Sequence, residues 1–275
     1  MFKQFLNFYI NSSIHVALSV FSLTWVTLIE YDIPYSKIVL CFIFFATITG
    51  YNFVKYFGIA KFHHRSLANW LKLIQIFSLC CFLLMCYYGF QLGNTILWYI
   101  FGLGIITFLY AIPFLPKRLF LDKQHNLRSI GGLKIYLIAF VWSSVTVFLP
   151  IINSESSISA DVILTGVQRY FYVIVLMFPF EIRDLRYDSL RLSTVPQKIG
   201  VKPTKIIGVL LLVIIFFLEF FKDELVFLSI GILLIVSIIS GLFLVYSRIE
   251  QRPYYSSFWV EGVSILWLIF LLTFS

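Results

Sequence analysis

The sequence predicts an all-α bundle of membrane-spanning helices, and three observations support this fold class. Of the 275 residues, 60% are hydrophobic and only 12% are charged, and the mean hydropathy is +0.94. A soluble domain has about a quarter of its residues charged. The apolar residues also fall in runs of about twenty, the length that an α-helix needs to cross the hydrocarbon core of a bilayer. This composition excludes an ordinary soluble enzyme, a disordered chain and a disulfide-stapled secreted scaffold.

Nine segments have the length and hydropathy of membrane spans, and we expect them to form a single domain over residues 1–275. The predicted spans are 12–31, 36–57, 69–91, 94–114, 131–152, 161–180, 204–221, 224–246 and 256–274. Very short connections follow the third and the seventh span, which predicts tight antiparallel hairpins at these two places. The other loops on that side are also short, whereas the loops at the other ends of the spans are longer and polar.

The basic residues are unevenly distributed between the loops. Fifteen of the 21 Lys and Arg residues lie in or beside the loops that follow spans two, four, six and eight, whereas the opposite loops hold only Lys37 and Lys222. Loops rich in Lys and Arg remain in the cytoplasm. We therefore expect the N-terminus and these loops to be cytoplasmic, and the C-terminus to lie on the opposite side. The net charge of +8 comes from basic residues whose positions are explained by membrane topology, so nucleic acid is not an expected partner.

The segment after the sixth span concentrates carboxylates in a chain that has only 13 acidic residues. Glu181, Asp184 and Asp188 are spaced i, i+3 and i+7, so they share one face if the helix continues beyond the membrane. Hard oxygen ligands at a membrane surface suit Mg²⁺ that is held jointly with a phosphate group. Arg183 and Arg186 flank them, and these arginines either bind the same anion or pair with the acids. The alternative interpretation is a solvated, salt-bridged helix end.

This segment resembles the second Asp-rich motif of the UbiA superfamily of intramembrane prenyltransferases. Residues 181–188, followed by Thr194-Val-Pro196 and Gly200, are similar to the family pattern DxxDxxxD, with Glu181 in place of the first Asp. A second likeness is to the loop after the family's fourth helix, and it rests on Tyr110-Ala-Ile-Pro113, Lys117, Arg118 and Gly131-Gly132. Nine spans with site loops on the cytoplasmic side also match the family architecture.

The family's first Asp-rich motif, NxxxDxxxD, falls at the end of the second span and is altered here. Asn52 matches, but Tyr56 and Ala60 stand where acidic residues are expected. Lys55 is three residues from Asn52 and therefore on the same helix face. One hypothesis is that fixed cations replace part of the first metal site. The other is that the protein has lost transferase activity.

The resemblance implies an activity, a cofactor and a set of site residues. The family transfers a prenyl group from an isoprenyl diphosphate to a lipophilic, often aromatic acceptor, with Mg²⁺ assisting the departure of diphosphate. Asp184 and Asp188 would then be catalytic and would bind Mg²⁺ together with Glu181. The residues expected to hold the diphosphate are Asn52, Lys55, Lys117, Arg118 and Arg183.

Two other functions stay open at this stage. The first is a membrane protein of the same fold that binds a lipid or a partner without catalysis. The second is a transporter, although transporters place polar groups near the membrane midplane and are built from related halves, and no such halves are visible.

Charges inside spans are functional candidates by default, which applies to Arg169 and Glu261; the alternatives for Arg169 are a side chain that extends to the membrane interface or an ion pair with a glutamate.

Overall fold

The computed structural model of the chain describes residues 2–60, 69–111, 132–186 and 194–274. Within these ranges the regular secondary structure is helical and contains no strand. The helices are α1 Phe2–Asn11, α2 Ile14–Glu30, α3 Lys37–Ala60, α4 Asn69–Gly89, α5 Asn94–Ala111, α6 Leu133–Asn153, α7 Ala160–Asp184, α8 Val195–Ile199, α9 Val201–Phe221, α10 Phe227–Tyr246 and α11 Tyr255–Phe274. The predicted all-α fold class is thereby confirmed.

Several of these helices are long and apolar enough to cross a membrane. Seven meet this description in the described part of the chain, namely α3, α4, α6, α7, α9, α10 and α11. Helices α1 and α2 meet at an angle of 59° and make an eighth span if they are taken together. Helix α5 is apolar over Asn94–Leu109 but shorter. The chain is therefore a multi-pass membrane protein, and the count of nine spans stays a prediction.

The first predicted span is interrupted near its start. Ser13 has a left-handed backbone conformation with φ of 64°, and the chain turns there from α1 into α2. Several small hydroxyl side chains of α2 face the interior of the bundle, including those of Ser19, Thr24 and Thr27. The Thr24 hydroxyl donates to the carbonyl of Val20 at 2.9 Å, which satisfies it within its own helix. Such small polar residues allow close packing between helices in lipid.

Helices α2 and α7 are the two centres of packing. Helix α2 contacts α3, α6 and α11, and α7 contacts α6, α9 and α10. In the apolar stretch of α7 67% of the residues are buried, compared with 17% in α4. Helices α7, α9 and α10 meet at Gly208, where an added Cβ would overlap Leu244 and approach Phe178 to 3.0 Å. Close approach at glycine is a common way for membrane helices to pack.

Two helices contain a π-helical turn, in which the hydrogen-bond spacing is wider than in an α-helix. These turns are Ser144–Phe148 in α6 and Tyr255–Val260 at the start of α11. Near the turn of α11, two backbone carbonyls accept bonds from α2. His15 Nε2 bonds the carbonyl of Phe258 at 2.8 Å, and Ser19 Oγ donates to the carbonyl of Glu261 at 2.8 Å. Polar side chains of α2 therefore fix the start of α11.

Candidate functional site

The predicted site residues that the structure describes lie at one end of the bundle. We call it the basic end; it is formed by the end of α3, the end of α7 and the starts of α2, α6 and α11. Asn52 and Lys55 belong to α3, whereas Glu181, Arg183 and Asp184 belong to α7. The remaining predicted site residues lie outside the described residues, and they are Lys117, Arg118 and Asp188.

Helix α7 continues beyond its apolar stretch, as the sequence predicted, and carries Glu181 and Asp184 on its last turn. The carbonyl of Pro179, inside the same helix, accepts a bond from Gln251 Nε2 at 2.8 Å. The helix ends at Asp184, four residues before Asp188. Glu181 and Asp184 therefore lie on the last turn of α7, whereas the third predicted carboxylate, Asp188, lies outside the described residues.

Glu181 is turned into the protein. Its side chain is buried, and Oε2 accepts a bond from the backbone N–H of Val195 at 3.2 Å. Val195 begins the short helix α8, where the Gln197 side chain accepts from the backbone N–H of Thr194 at 3.0 Å. A carboxylate beside the first N–H groups of a helix is favourable. Glu181 therefore joins the two parts of the motif, the end of α7 and the Thr194-Val-Pro196 segment.

Asp184 lies between two cations. Its Oδ1 accepts from Nε and Nη2 of Arg183 at 2.9 and 2.8 Å, and Nζ of Lys134 lies 3.6 Å from Oδ2. The Asp184 side chain is 20% exposed, so this carboxylate is accessible from outside the bundle. The Arg183 guanidinium also lies over the ring of Phe180, 5.2 Å from its centroid. Asp184 therefore fixes the positions of one arginine and one lysine from two different helices.

The described carboxylates fit the predicted Mg²⁺ site only in part. No group of three metal-ligating side chains occurs among the residues that the structure describes. Glu181 is buried against the start of α8, which removes it from the set of accessible ligands. Asp184 remains accessible, although its charge is balanced by Arg183 and Lys134. This end of α7 therefore offers one accessible carboxylate to a cation.

Asn52 is buried and fully engaged with the protein. Its Nδ2 donates to the carbonyl of Ser12 at 3.0 Å and to Oγ of Ser78 at 2.8 Å, and its Oδ1 accepts from Oγ of Ser13 at 2.8 Å. Lys55 Nζ donates to the same Ser13 hydroxyl at 2.9 Å. The bonds of Asn52 therefore connect the turn between α1 and α2 to α3 and α4.

We expect Asn52→Ala to destabilise the protein by about 2 kcal/mol, since it removes three interhelical hydrogen bonds that are each worth roughly 0.6 kcal/mol in a membrane protein. Reversible unfolding in mixed micelles measures this change. Thr49→Ala is the matched control, because the Thr49 hydroxyl bonds only the carbonyl of Phe45 in its own helix. A loss of diphosphate affinity at unchanged stability would instead give Asn52 a direct role in ligand binding.

Glu261 connects the two sides of the basic end. It is the first residue after the π-helical turn of α11. Its carboxylate is within electrostatic range of Lys55 on one side and of Arg183 on the other. Glu261 therefore lies in the electrostatic field of both Lys55 and Arg183, and Arg183 is itself paired with Asp184, which lies beside Lys134.

His15 joins three helices next to these charged groups. Since a carbonyl oxygen only accepts, Nε2 of His15 is the donor to the Phe258 carbonyl, and its ring stacks on that of Phe258 with centroids 4.8 Å apart. In a neutral ring Nδ1 is then the acceptor, and the Tyr9 hydroxyl donates to it at 2.8 Å. The histidine thereby links α1, α2 and α11 in a single tautomer.

A second polar cluster is buried towards the opposite end of the bundle. Arg169 of α7 is almost completely buried, and its Nη2 lies 3.9 Å from Oε2 of Glu30. Its Nη1 donates to the carbonyl of Leu23 at 3.3 Å, and its guanidinium lies 4.8 Å from the ring centroid of Trp267. The ion pair with a glutamate, one of the sequence-based interpretations of Arg169, is therefore present.

Glu219 extends this cluster at the end of α9. Its Oε2 accepts from Gln168 Nε2 at 2.9 Å and lies 2.8 Å from Nζ of Lys222. A cavity of about 10 Å³ lies among these side chains, which is room for roughly one water molecule. Two acidic and two basic groups therefore balance one another in this cluster.

Sequence reasoning did not anticipate two members of the basic end. Lys134 is the second residue after Gly131-Gly132, and only the fold brings it to Asp184. Ser13 bonds both Asn52 and Lys55, but a serine at the edge of an apolar segment carries no specific signal. A lysine at the first turn of a predicted span was the available clue for Lys134, because such a charge needs a partner.

The fold and its charged end define an all-α, multi-pass membrane protein with an ionic cluster at one end of the bundle. No protein-family model, no curated protein and no solved structure matches the chain.

Proposed function

We propose that this chain is an intramembrane prenyltransferase, which moves a prenyl group from an isoprenyl diphosphate to a lipophilic acceptor. One observation carries the proposal. Three cations from three helices lie at one end of a largely apolar bundle: Lys134 and Arg183 are paired with Asp184, and Lys55 bonds Ser13 beside Glu261. A diphosphate needs several positive groups, and a prenyl chain needs an apolar environment, so both parts of such a donor find complementary surroundings at this end.

During the reaction, negative charge develops on the diphosphate leaving group. The allylic carbon–oxygen bond breaks, and its electron pair leaves with the diphosphate. The acceptor then forms a bond to the allylic carbon and releases a proton. Fixed cations that face the departing oxygen stabilise it most when they need no rearrangement during the reaction. Arg183 and Lys134 meet this condition, since Asp184 holds both of them in place.

Mg²⁺ belongs to this proposal as an ion that Asp184 and Asp188 would share with the diphosphate. It would supply additional positive charge to the leaving group. Glu181 was expected to complete the ligand set, but its bond to Val195 assigns it to the structure of the motif instead. The roles of Arg183, Lys134 and Lys55 described above do not depend on the ion.

A second candidate function is lipid or partner binding without catalysis, and two observations favour it. Tyr56 and Ala60 replace the acids of the first motif, and the Tyr56 hydroxyl donates to the carbonyl of Asn11 at 2.9 Å. The charge of Asp184 is also balanced within the protein. A site of this kind would bind the diphosphate through cations and leave its carbon–oxygen bond intact.

The orientation of the protein is part of the proposal. The loops with most of the Lys and Arg residues adjoin the basic end, so we place this end in the cytoplasm. The diphosphate donor would then enter from the cytoplasmic side of the membrane.

The decisive experiment measures diphosphate release by the purified full-length chain in nanodiscs. The assay contains Mg²⁺, prenyl diphosphates of several chain lengths, and aromatic and non-aromatic lipophilic acceptors. We expect release that depends on the acceptor and yields a prenylated product. Saturable binding of a prenyl diphosphate without release would establish the non-catalytic alternative. Neither binding nor release with any donor would reject both.

A further inference from the structure

A separate pocket lies beside the basic end, on the side of α7 that faces the connection between α10 and α11. Its volume is about 250 Å³, equivalent to roughly eight water molecules. Three arginines from two segments of the chain line it, and among the described residues no Asp or Glu does so. The polar lining consists of Arg183, Arg186, Gln251, Arg252, Tyr254 and Ser256.

The wall of this pocket is fixed by hydrogen bonds to three helices. Gln251 is held between the Pro179 carbonyl of α7, at 2.8 Å, and the Ser256 hydroxyl, which donates to its Oε1 at 2.5 Å. The Tyr255 hydroxyl donates to the carbonyl of Phe243 in α10 at 2.7 Å. Tyr254 has a left-handed backbone with φ of 71°, and its hydroxyl donates to Asn7 of α1. The pocket is therefore preformed rather than assembled on binding.

The charge of the lining identifies the chemistry of its occupant. Three arginines line one cavity, so an anion bound there would face several cationic N–H donors. Arginine presents a planar fork of N–H donors that matches two oxygens of a phosphate group. Arg183 is paired with Asp184 through Nε and Nη2, and Arg186 and Arg252 are exposed residues of the lining. Ile249 and Pro253 add apolar surface at the same place.

We propose that this pocket binds a phosphate group, carried either by an anionic lipid or by a soluble phosphate compound. The pocket shares Arg183 with the proposed donor site, but the inference goes beyond the transferase reaction, because the rest of the lining includes the α10–α11 connection, to which that reaction assigns no part. Lipid phosphate lies at the level where a membrane helix ends, and the pocket lies at the ends of α7 and α10, so a lipid source is geometrically accessible. The pocket would then anchor the α10–α11 connection to its ligand.

The test compares two variants of the full-length chain that lose one positive charge each. Arg252→Gln removes a lining arginine, whereas Arg248→Gln removes an exposed arginine of the same connection that does not line the pocket. Binding is measured on detergent-purified protein with a short-chain phosphatidic acid, inorganic phosphate and inorganic diphosphate as separate probes. We expect saturable binding of at least one probe, weakened about tenfold by Arg252→Gln and unchanged by Arg248→Gln.

The probes distinguish the two sources of phosphate. Binding of phosphatidic acid alone identifies a lipid headgroup site, and binding of phosphate or diphosphate identifies a site for soluble compounds. Equal weakening by both variants, or no saturable binding of any probe, would overturn the proposal. Unfolding of each variant without ligand verifies that it is folded. Arg252 lines the pocket and has no part in the proposed transferase site, so the effect of Arg252→Gln on binding is distinguishable from the result of the transferase assay.

Discussion

Asp184→Ala is expected to abolish diphosphate release, with a loss of at least about 100-fold in kcat/KM, the magnitude found when one preorganised group at a developing anion is removed. The carboxylate holds Arg183 at 2.8 Å and Lys134 at 3.6 Å, so its removal releases both cations from their fixed positions. It also removes the accessible carboxylate that the last turn of α7 offers to a divalent cation. Steady-state assays on nanodisc-embedded protein, at saturating and limiting donor, measure the effect.

The matched control for this prediction is Asp223→Ala. Asp223 is also acidic and exposed, but it lies between α9 and α10, where its backbone N–H bonds Asp161 at 3.1 Å. This variant should retain full activity and full stability. If Asp184→Ala is as active as the control, Asp184 has no part in the reaction and the assignment of α7 as the catalytic helix must be given up.

Arg169→Met is expected to cost about 3–5 kcal/mol of stability, as is typical when one partner of a buried ion pair is removed. Methionine is uncharged, so it removes the cation that pairs with Glu30 at 3.9 Å, leaves Lys222 as the remaining cation near that carboxylate, and leaves the carbonyl of Leu23 without its donor. It also removes the cation above the ring of Trp267. Unfolding in mixed micelles, followed by tryptophan fluorescence, gives the change in free energy.

A double variant separates the ion pair from simple loss of packing. In Glu30→Gln combined with Arg169→Met, neither charge remains, so the double variant should be more stable than Arg169→Met alone. If the two are equally unstable, the charge of Glu30 does not contribute, and the cost belongs to the hydrogen bond with Leu23 and the contact with Trp267.

Hydropathy predicted the positions of the helices because a bilayer demands about twenty consecutive apolar residues from each span. The same reasoning missed α1, Phe2–Asn11, which is too short and too polar to satisfy that demand by itself. It also placed the start of the first span at 12, whereas the left-handed backbone of Ser13 makes α2 begin at Ile14. Single-residue breaks and π-helical turns leave no trace in an averaged hydropathy profile.

The candidate site was predictable only where its residues are neighbours in sequence. The spacing of Glu181 and Asp184 predicted their position on the last turn of α7, but it did not distinguish a buried carboxylate from an accessible one. That difference comes from Val195 and Lys134, which the fold brings to α7 from other parts of the chain. The hydrogen bonds through which Asn52 connects helices likewise depend on Ser12 and Ser78, which are distant from it in sequence.

The bonds from α2 to α11 affect the order in which the bundle can be assembled. His15 and its carbonyl partner Phe258 are separated by 243 positions in sequence. During synthesis from the N-terminus, α2 must therefore enter the membrane with its inward hydroxyl and imidazole groups still lacking the helix that receives them. Contacts this distant form late, because the ends of a long segment must first be brought together. Until α11 emerges, the hydroxyls of Ser19, Thr24 and Thr27 can bond carbonyls within α2, whereas His15 Nε2 lacks its acceptor, so the imidazole is the group of α2 that most needs α11.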